Sequence, residues 1–365
     1  MIRIDEIYNN LFWPWLKQER PGTRLFFCDP PGSTHPDNLF NLGIDDMIET
    51  DYIFLHDQEP IHMDLHRLLF HAVIDQNIDL VTEPNGHVIV SEQGEFVEKL
   101  CRGTGWQSHY YFYHGWACKD WFRGYDKSFL IPRARDRAPT CTFISPNRII
   151  AGKRDHRVLF LYNVFKHGID NNWISAPRTC VYENVDISVV ASKYNNIYPD
   201  IEQVFQTANL PRLFPGEETQ PMTSCWLTNF DESADSLIYV PTETVYFGRR
   251  LHITEKTFKA IALEMPFILV APAHSLRYMR SYGFQTFQGI FDESYDDETD
   301  DILRIEKITE LLKDLNNLSV KERLQIHRAC LPIVEHNFEH FYGTGFEQIL
   351  WAELTHMLDN FKTER

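Results

Sequence analysis

The chain has 365 residues, 43% of them hydrophobic and 14% aromatic, which is material for two packed domains rather than one small core. Its formal charge of −17 at pH 7 argues against a uniformly basic nucleic-acid binder. No apolar run is long enough to span a membrane, and the first residues lack a charged-then-apolar signal pattern. The 7 cysteines, Cys28, Cys101, Cys118, Cys141, Cys180, Cys225 and Cys330, form no C-x-x-C pair. They read as reduced thiols of a cytoplasmic protein, neither a disulfide frame nor a zinc site.

In chain order, residues 1–20 mix aromatics and charges and suit a helix packed on the surface. Residues 23–28 read as a strand ending in the turn Asp29, Pro30, Pro31, Gly32. A short helix is expected within 39–48. A second strand, 51–56, leads to a helix with Leu65, Leu68, Leu69, Ala72 and Val73 on one face. Strands follow at 86–90 and 110–113, with a helix at 96–100 between them. A fifth strand at 141–144, a helix at 157–164 and a strand at 173–175 come next. Residues 194–225 are proline-rich and read as irregular. A strand at 237–240, a helix at 258–263 and a short buried strand at 266–271 precede three helical patterns at 302–318, 320–338 and 345–361. This alternation predicts a parallel α/β sheet with helices outside. The boundary falls in the basic, proline-containing stretch 131–139. It gives domains 1–135 and 136–345 and a last helix, 346–365, free to cross back to the first domain.

Ligands of open α/β sheets bind beyond the carboxyl ends of the strands. Three polar clusters hold that position in the first half: Asp57, Gln58 and Glu59; Ser91 and Glu92; His114 with Asp120. A carboxylate there can serve as a general base toward an acceptor hydroxyl. Asp57 and Glu59 rank first as catalytic candidates because they directly follow the clearest strand. A cap or turn role is the plainer reading of each cluster. Trp116, Trp121, Phe122 and Tyr125 beside Arg123 offer faces for stacking on a sugar or base. Aromatic core is the plainer reading for at least two of them. His114, Trp116 and Arg123 are the acceptor-binding candidates.

The second half is organised around residues 243–284. Thr254 suits a helix N-cap, with Glu255 in the first turn. A helix start after a strand is a ready anion site, and Lys256 adds a movable positive charge. Asn147, Arg148, Lys153 and Arg154 follow a strand and precede a helix, where guanidinium forks match phosphate oxygens. Together these groups can hold a nucleotide's ribose and phosphates. The plainer readings are a capped surface helix and a basic linker. Residues 119–157 carry Lys119, Arg123, Lys127, Arg133, Arg135, Arg137, Arg148, Lys153, Arg154 and Arg157 against four aspartates. That is either a local anion-binding face or ordinary surface patchiness. The acidic run 292–301 reads as a solvated loop, and no metal-ligand spacing is visible.

Asn147 with Arg154, then Glu243 and Thr244, then Thr254, Glu255 and Lys256 resemble the donor half of glycosyltransferases of the GT-B architecture. They are similar to the fucosyltransferase-type signature, an S-N…R segment followed by E-[ST]…T-E-K. Here Pro146 separates Ser145 from Asn147, and Arg148 offers a competing phosphate ligand. H-D-Q-E-P at 56–60, H-G-W at 114–116, W-F-R-G-Y at 121–125, S-P-N-R at 145–148, K-R-D-H-R at 153–157 and the stretch 243–296 are similar to a group of glycosyltransferases common in tailed bacteriophages. This resemblance covers most of the chain, and T-E-K-T-F-K…P-F is its most specific part.

The resemblance implies an α/β GT-B fold, two Rossmann-like domains facing across a cleft. The second domain would bind a nucleotide-diphosphate sugar, with UDP the expected nucleotide. The first would bind the acceptor and supply the base for an inverting single displacement. It implies Glu255 as a ribose contact and Lys256 and Arg154 as phosphate contacts. Asn147, Arg148, Glu243 and Thr254 complete the donor set. No resident cofactor, metal or membrane is implied. Some phage glycosyltransferases modify hydroxymethylated pyrimidines, which implies DNA carrying 5-hydroxymethylcytosine as the first acceptor, in the host cytoplasm if the chain is phage-encoded. The rivals are a glycan or protein acceptor, and a non-catalytic nucleotide or nucleic-acid binding module.

Overall fold

The computed structural model describes residues 7–19, 24–27, 52–61, 87–127, 134–218 and 225–363. The expected turn at 29–32 and the helices at 39–48 and around Leu65 lie outside the described residues. The chain is mixed α/β with parallel sheets. It divides into two compact units. The first is Met1–Asp120 with Arg250–His252 and Glu347–Arg365; the second is Trp121–Arg249 with Ile253–Phe346.

In the first unit, β1 (Arg24–Phe27), β2 (Tyr52–His56), β3 (His87–Val90) and β5 (Gln107–Tyr110) form a parallel sheet in the order β1-β2-β3-β5. All four residues of β3 are buried, as befits a parallel strand covered on both faces. A two-residue strand, β4 (Gln93–Gly94), pairs antiparallel with β9 (Arg250–Leu251). The N-terminal segment is a π-helical turn, Ile7–Phe12, running into the helix Trp13–Glu19. Ile7, Phe12, Trp15 and Leu16 are buried, so this segment is embedded in the unit's core.

The strand expected at 110–113 sits three residues earlier. Tyr111 N–H still reaches Val90 O at 3.2 Å, but the helix Tyr113–Trp121 begins immediately after. Four consecutive aromatics satisfy strand propensity. What starts the helix is Ser91 Oγ, at the end of β3, which accepts from Tyr113 N–H at 3.1 Å. That is a capping contact supplied from another strand. The last helix, Thr344–Thr363, lies on this segment: Glu353 Oε1 accepts from Phe112 N–H at 2.7 Å, and Trp351 packs edge-on to Trp116 at 4.8 Å.

The second unit is built on β6 (Cys141–Ser145), flanked in parallel by β7 (Asn172–Ile174) and β8 (Ser236–Tyr239), in the order β7-β6-β8. The segment 266–271, expected as a strand, is not a continuous one. It joins β8's side through two isolated parallel bridges, Tyr239 with Phe267 and Thr242 with Val270. Pro241, Pro266 and Pro272 lack N–H donors, so a full ladder cannot form. The helix His156–Lys166 is buried from His156 to Val164, its polar His156, Arg157 and Asn163 included. The helix Val320–Tyr342 starts on a reciprocal capping box of Ser319 and Glu322.

The structure departs from the sequence pattern in two further segments. Residues 194–225 contain the helix Ile201–Thr207, whose Ile201 and Phe205 are buried one turn apart; its prolines flank the helix rather than interrupt it. The acidic run 292–301 is only partly solvated. Asp296 is buried, and its carboxylate accepts from Leu276 N–H at 2.9 Å and Arg277 N–H at 3.2 Å, capping the helix Ser275–Ser281. Asp300 caps Asp301–Asn316 in the same way. Among the described residues no helix is long and apolar enough to cross a membrane.

Candidate functional site

Because β6 and β8 are parallel neighbours, their carboxyl ends release Asn147 and Thr242 side by side. Thr242 Oγ1 donates to Asn147 Oδ1 at 2.8 Å. Asn147 Nδ2 donates to Ser145 O at 3.1 Å and Ser145 Oγ at 3.0 Å, while its backbone N–H donates to Ser175 Oγ at 2.6 Å. Asn147 is completely buried. It therefore staples the sheet edge together, and a ligand would feel it only through the loops it holds.

Glu243 plays a similar part. Its buried carboxylate accepts from Thr254 N–H at 3.2 Å, Thr254 Oγ1 at 2.6 Å and Thr257 Oγ1 at 2.6 Å. A carboxylate at the positive end of the helix Glu255–Ala262 is favourable. It also fixes where that helix begins. Thr254, extended at φ −123, is the N-cap, and its hydroxyl faces Lys256 N–H. Phe258, Ile261 and Ala262 bury the inner face, so the first turn is held from both ends.

Lys256 stands on this turn with its side chain 24% exposed. Its Nζ donates to Thr244 Oγ1 at 3.0 Å, Thr254 Oγ1 at 3.1 Å and Glu255 Oε1 at 2.8 Å. An ammonium has three hydrogens, and all three are engaged. Thr254, Glu255 and Lys256 thus form one unit, with Glu243 and Asn147 positioning it.

The basic loop after β6 is less uniform. Arg148 Nε lies 3.7 Å from Glu217 Oε1, and Glu217 is itself buried and accepts from Phe214 N–H at 2.9 Å. Burial raises the Glu217 pKa, against the pull of the Phe214 hydrogen bond and Arg148. Lys153 and Arg154 sit on the single turn Gly152–Arg154. Gly152 has φ +63, the left-handed region that favours glycine, and Glu183 Oε1 lies 3.0 Å from where a Cβ would stand. Arg157, fully buried, donates to Ile149 O at 2.9 Å and Thr242 O at 2.7 Å, tying the loop to the end of β8. His156 lies beneath, stacked on Tyr246 at 5.0 Å. Burial, with the charges of Arg157 and Arg154, holds its pKa well below the usual imidazole range. Glu217, His156 and Thr242 were not singled out from sequence; only their burial and their distant partners reveal them.

The candidates of the first half have a different character. Asp57 is buried, and its carboxylate accepts a hydrogen bond from Tyr111 OH. Glu59 is half-buried at the end of the same strand. His114 and Trp116 are not on a loop: both lie in the helix Tyr113–Trp121, only 5% and 2% exposed. Trp116 is core, packed on Trp351. His114 Nε2–H donates to Gln58 O at 2.9 Å, and His252 Nδ1–H donates to Ser91 O at 3.1 Å, with the two rings edge to face at 5.1 Å. Glu92 is a structural anion: its two oxygens take Arg250 Nε at 2.5 Å and Arg250 Nη2 at 2.7 Å, and Ile61 N–H at 2.8 Å. Arg123 is exposed and belongs to the second unit.

The basic stretch 119–157 does not present all its charges to solvent. Lys119 is buried against Glu347 at 3.7 Å, and burial lowers its pKa. Arg135 pairs with Glu264 at 2.8 Å, Arg137 with Asp231 at 3.6 Å and Asp235 at 3.7 Å. Arg157 is interior. Among the described residues no group of three or more His, Cys, Asp or Glu is arranged to hold a metal ion. Comparison with protein-family models, with curated proteins and with solved structures gives no match for this chain.

Proposed function

We propose that the chain is a glycosyltransferase of GT-B type that moves a sugar from a nucleotide-diphosphate donor to a hydroxyl acceptor. The observation that carries this reading is the Thr254, Glu255, Lys256 unit: a half-buried ammonium at a capped helix start, beyond the carboxyl ends of parallel strands. In this reading the diphosphate displaces Glu255 from Lys256. Lys256 and Arg154 then stabilise charge developing on the leaving diphosphate, and Glu255 accepts from ribose hydroxyls. The acceptor O–H gives its proton to a carboxylate, the oxygen bonds to the anomeric carbon, and the bond from that carbon to the diphosphate breaks. Glu59 is the better base candidate because it is half-buried, whereas the Asp57 carboxylate is buried.

The resemblance favours 5-hydroxymethylcytosine in DNA as the acceptor. A glycan or protein acceptor is supported by a specific observation: Lys119, Arg148 and Arg157 are turned inward onto internal partners. The test is mass spectrometry of hydroxymethylated duplex DNA, and of glycan acceptors, after incubation with UDP- and GDP-sugars. A mass gain of one sugar on DNA, with acceptor binding that weakens steeply with salt, supports the DNA version. Transfer only to glycans replaces it. Nucleotide binding with no transfer to any acceptor leaves a sensor.

A further inference from the structure

We propose that the ring of Tyr182 is the stacking platform for the nucleobase of the donor; this rests on the donor reading above. Residues 179–186 form a tightly bonded turn. Cys180 N–H donates to Val185 O at 2.8 Å, Asn184 N–H donates to Cys180 O at 3.0 Å, and Thr179 bridges Asp186 antiparallel. Cys180 Sγ donates to Glu183 Oε2 at 2.6 Å. Asn184 takes the left-handed φ of 50 that the reversal needs. Asp186 then caps the next helix through Ser188 N–H at 2.8 Å. At the tip of this ordered turn two apolar side chains face water: Val181 is 49% and Tyr182 62% exposed.

The foot of the turn rests on the loop that carries Arg154. Glu183 Oε1 lies against Gly152, 3.0 Å from where a Cβ on that glycine would stand. Cys180, buried, lies within electrostatic reach of Arg157. Lys193, further along the same segment, reaches Asp155 at 3.4 Å. A phosphate would be repelled by Glu183 at this edge. A neutral planar ring attached to a diphosphate held at Arg154 and Lys256 would not, and its N–H groups can donate to that carboxylate. A tyrosine face on a rigid turn takes such a ring at little entropic cost.

The experiment is calorimetric titration of wild type, Tyr182→Ala, Tyr182→Phe and Lys256→Ala with UDP, GDP and inorganic pyrophosphate. Tyr182 is largely exposed, so its variants should melt like wild type. For whichever nucleotide binds, Tyr182→Ala should weaken it by about ten-fold or more, Tyr182→Phe should retain it, and pyrophosphate should be unaffected by either. Lys256→Ala should weaken all ligands that bind. Unchanged nucleotide affinity in Tyr182→Ala, or an equal loss for pyrophosphate, overturns the platform while Lys256 sensitivity keeps the donor reading. Insensitivity of every ligand to Lys256→Ala overturns the donor reading itself.

Discussion

The two units each carry a parallel sheet with polar residues at its carboxyl edge, yet those residues are used differently. In the first unit the edge is closed on itself. Tyr111 takes Asp57, Arg250 takes Glu92, and backbone carbonyls take His114 and His252. In the second unit buried Asn147 and Glu243 support a first helical turn, and that turn presents Lys256 at the surface. The difference teaches that polar residues at a strand end do not by themselves make a site. In the donor reading proposed above, the charge at Lys256 is held by exchangeable partners.

The largest effect should come from breaking the closed edge. Arg250→Ala leaves Glu92 buried without its counter-ion and should cost about 3–5 kcal/mol in urea unfolding. Replacing Glu92 and Arg250 together with methionine should recover much of that loss. If the single variant is as stable as wild type, the buried pair is not structural. Trp116→Ala removes a core side chain and should cost roughly 3–5 kcal/mol, while nucleotide affinity, measured well below the melting point, stays unchanged. A stable variant that loses acceptor binding alone would return Trp116 to the ligand surface.

Glu243→Gln sharpens the other side of the comparison. It exchanges a capping carboxylate for an amide and should cost about 2 kcal/mol, with nucleotide binding weakened because Thr254 shifts. Full affinity in this variant would show that Glu243 does not position the proposed Thr254, Glu255, Lys256 donor site. The smallest effect concerns His156. Its folded form stays neutral where an unfolded histidine gains a proton, below about pH 6.5. The unfolded state then binds more protons, so stability falls as pH drops. Between pH 6.5 and 5.5 this group alone should cost about 1 kcal/mol. His156→Phe should flatten that part of the stability–pH curve, and an unchanged curve would contradict the buried neutral imidazole.

What was legible in the sequence was local. Most described strands and the start of the helix Glu255–Ala262 follow from short patterns, because a β-branched run or a Thr cap acts within a few residues. The helix at Tyr113 was not legible, because its cap is Ser91, at the end of another strand. Nor was the division of labour around Lys256. Glu243 has a ligand-like place in the sequence, but its carboxylate spends itself on Thr254 and Thr257. Arg157 read as one more surface charge in a basic stretch, and its carbonyl partners lie as far away as Thr242. Partners distant in sequence decide such roles, and a local pattern carries no record of them.

The measurement that bears most directly on the proposed donor site is the affinity of a nucleotide-diphosphate sugar for Lys256→Met beside wild type, by calorimetry at fixed salt. Loss of a charge-assisted contact should weaken binding by about ten-fold or more, with the melting temperature close to wild type. Equal affinity in the two proteins would contradict the account.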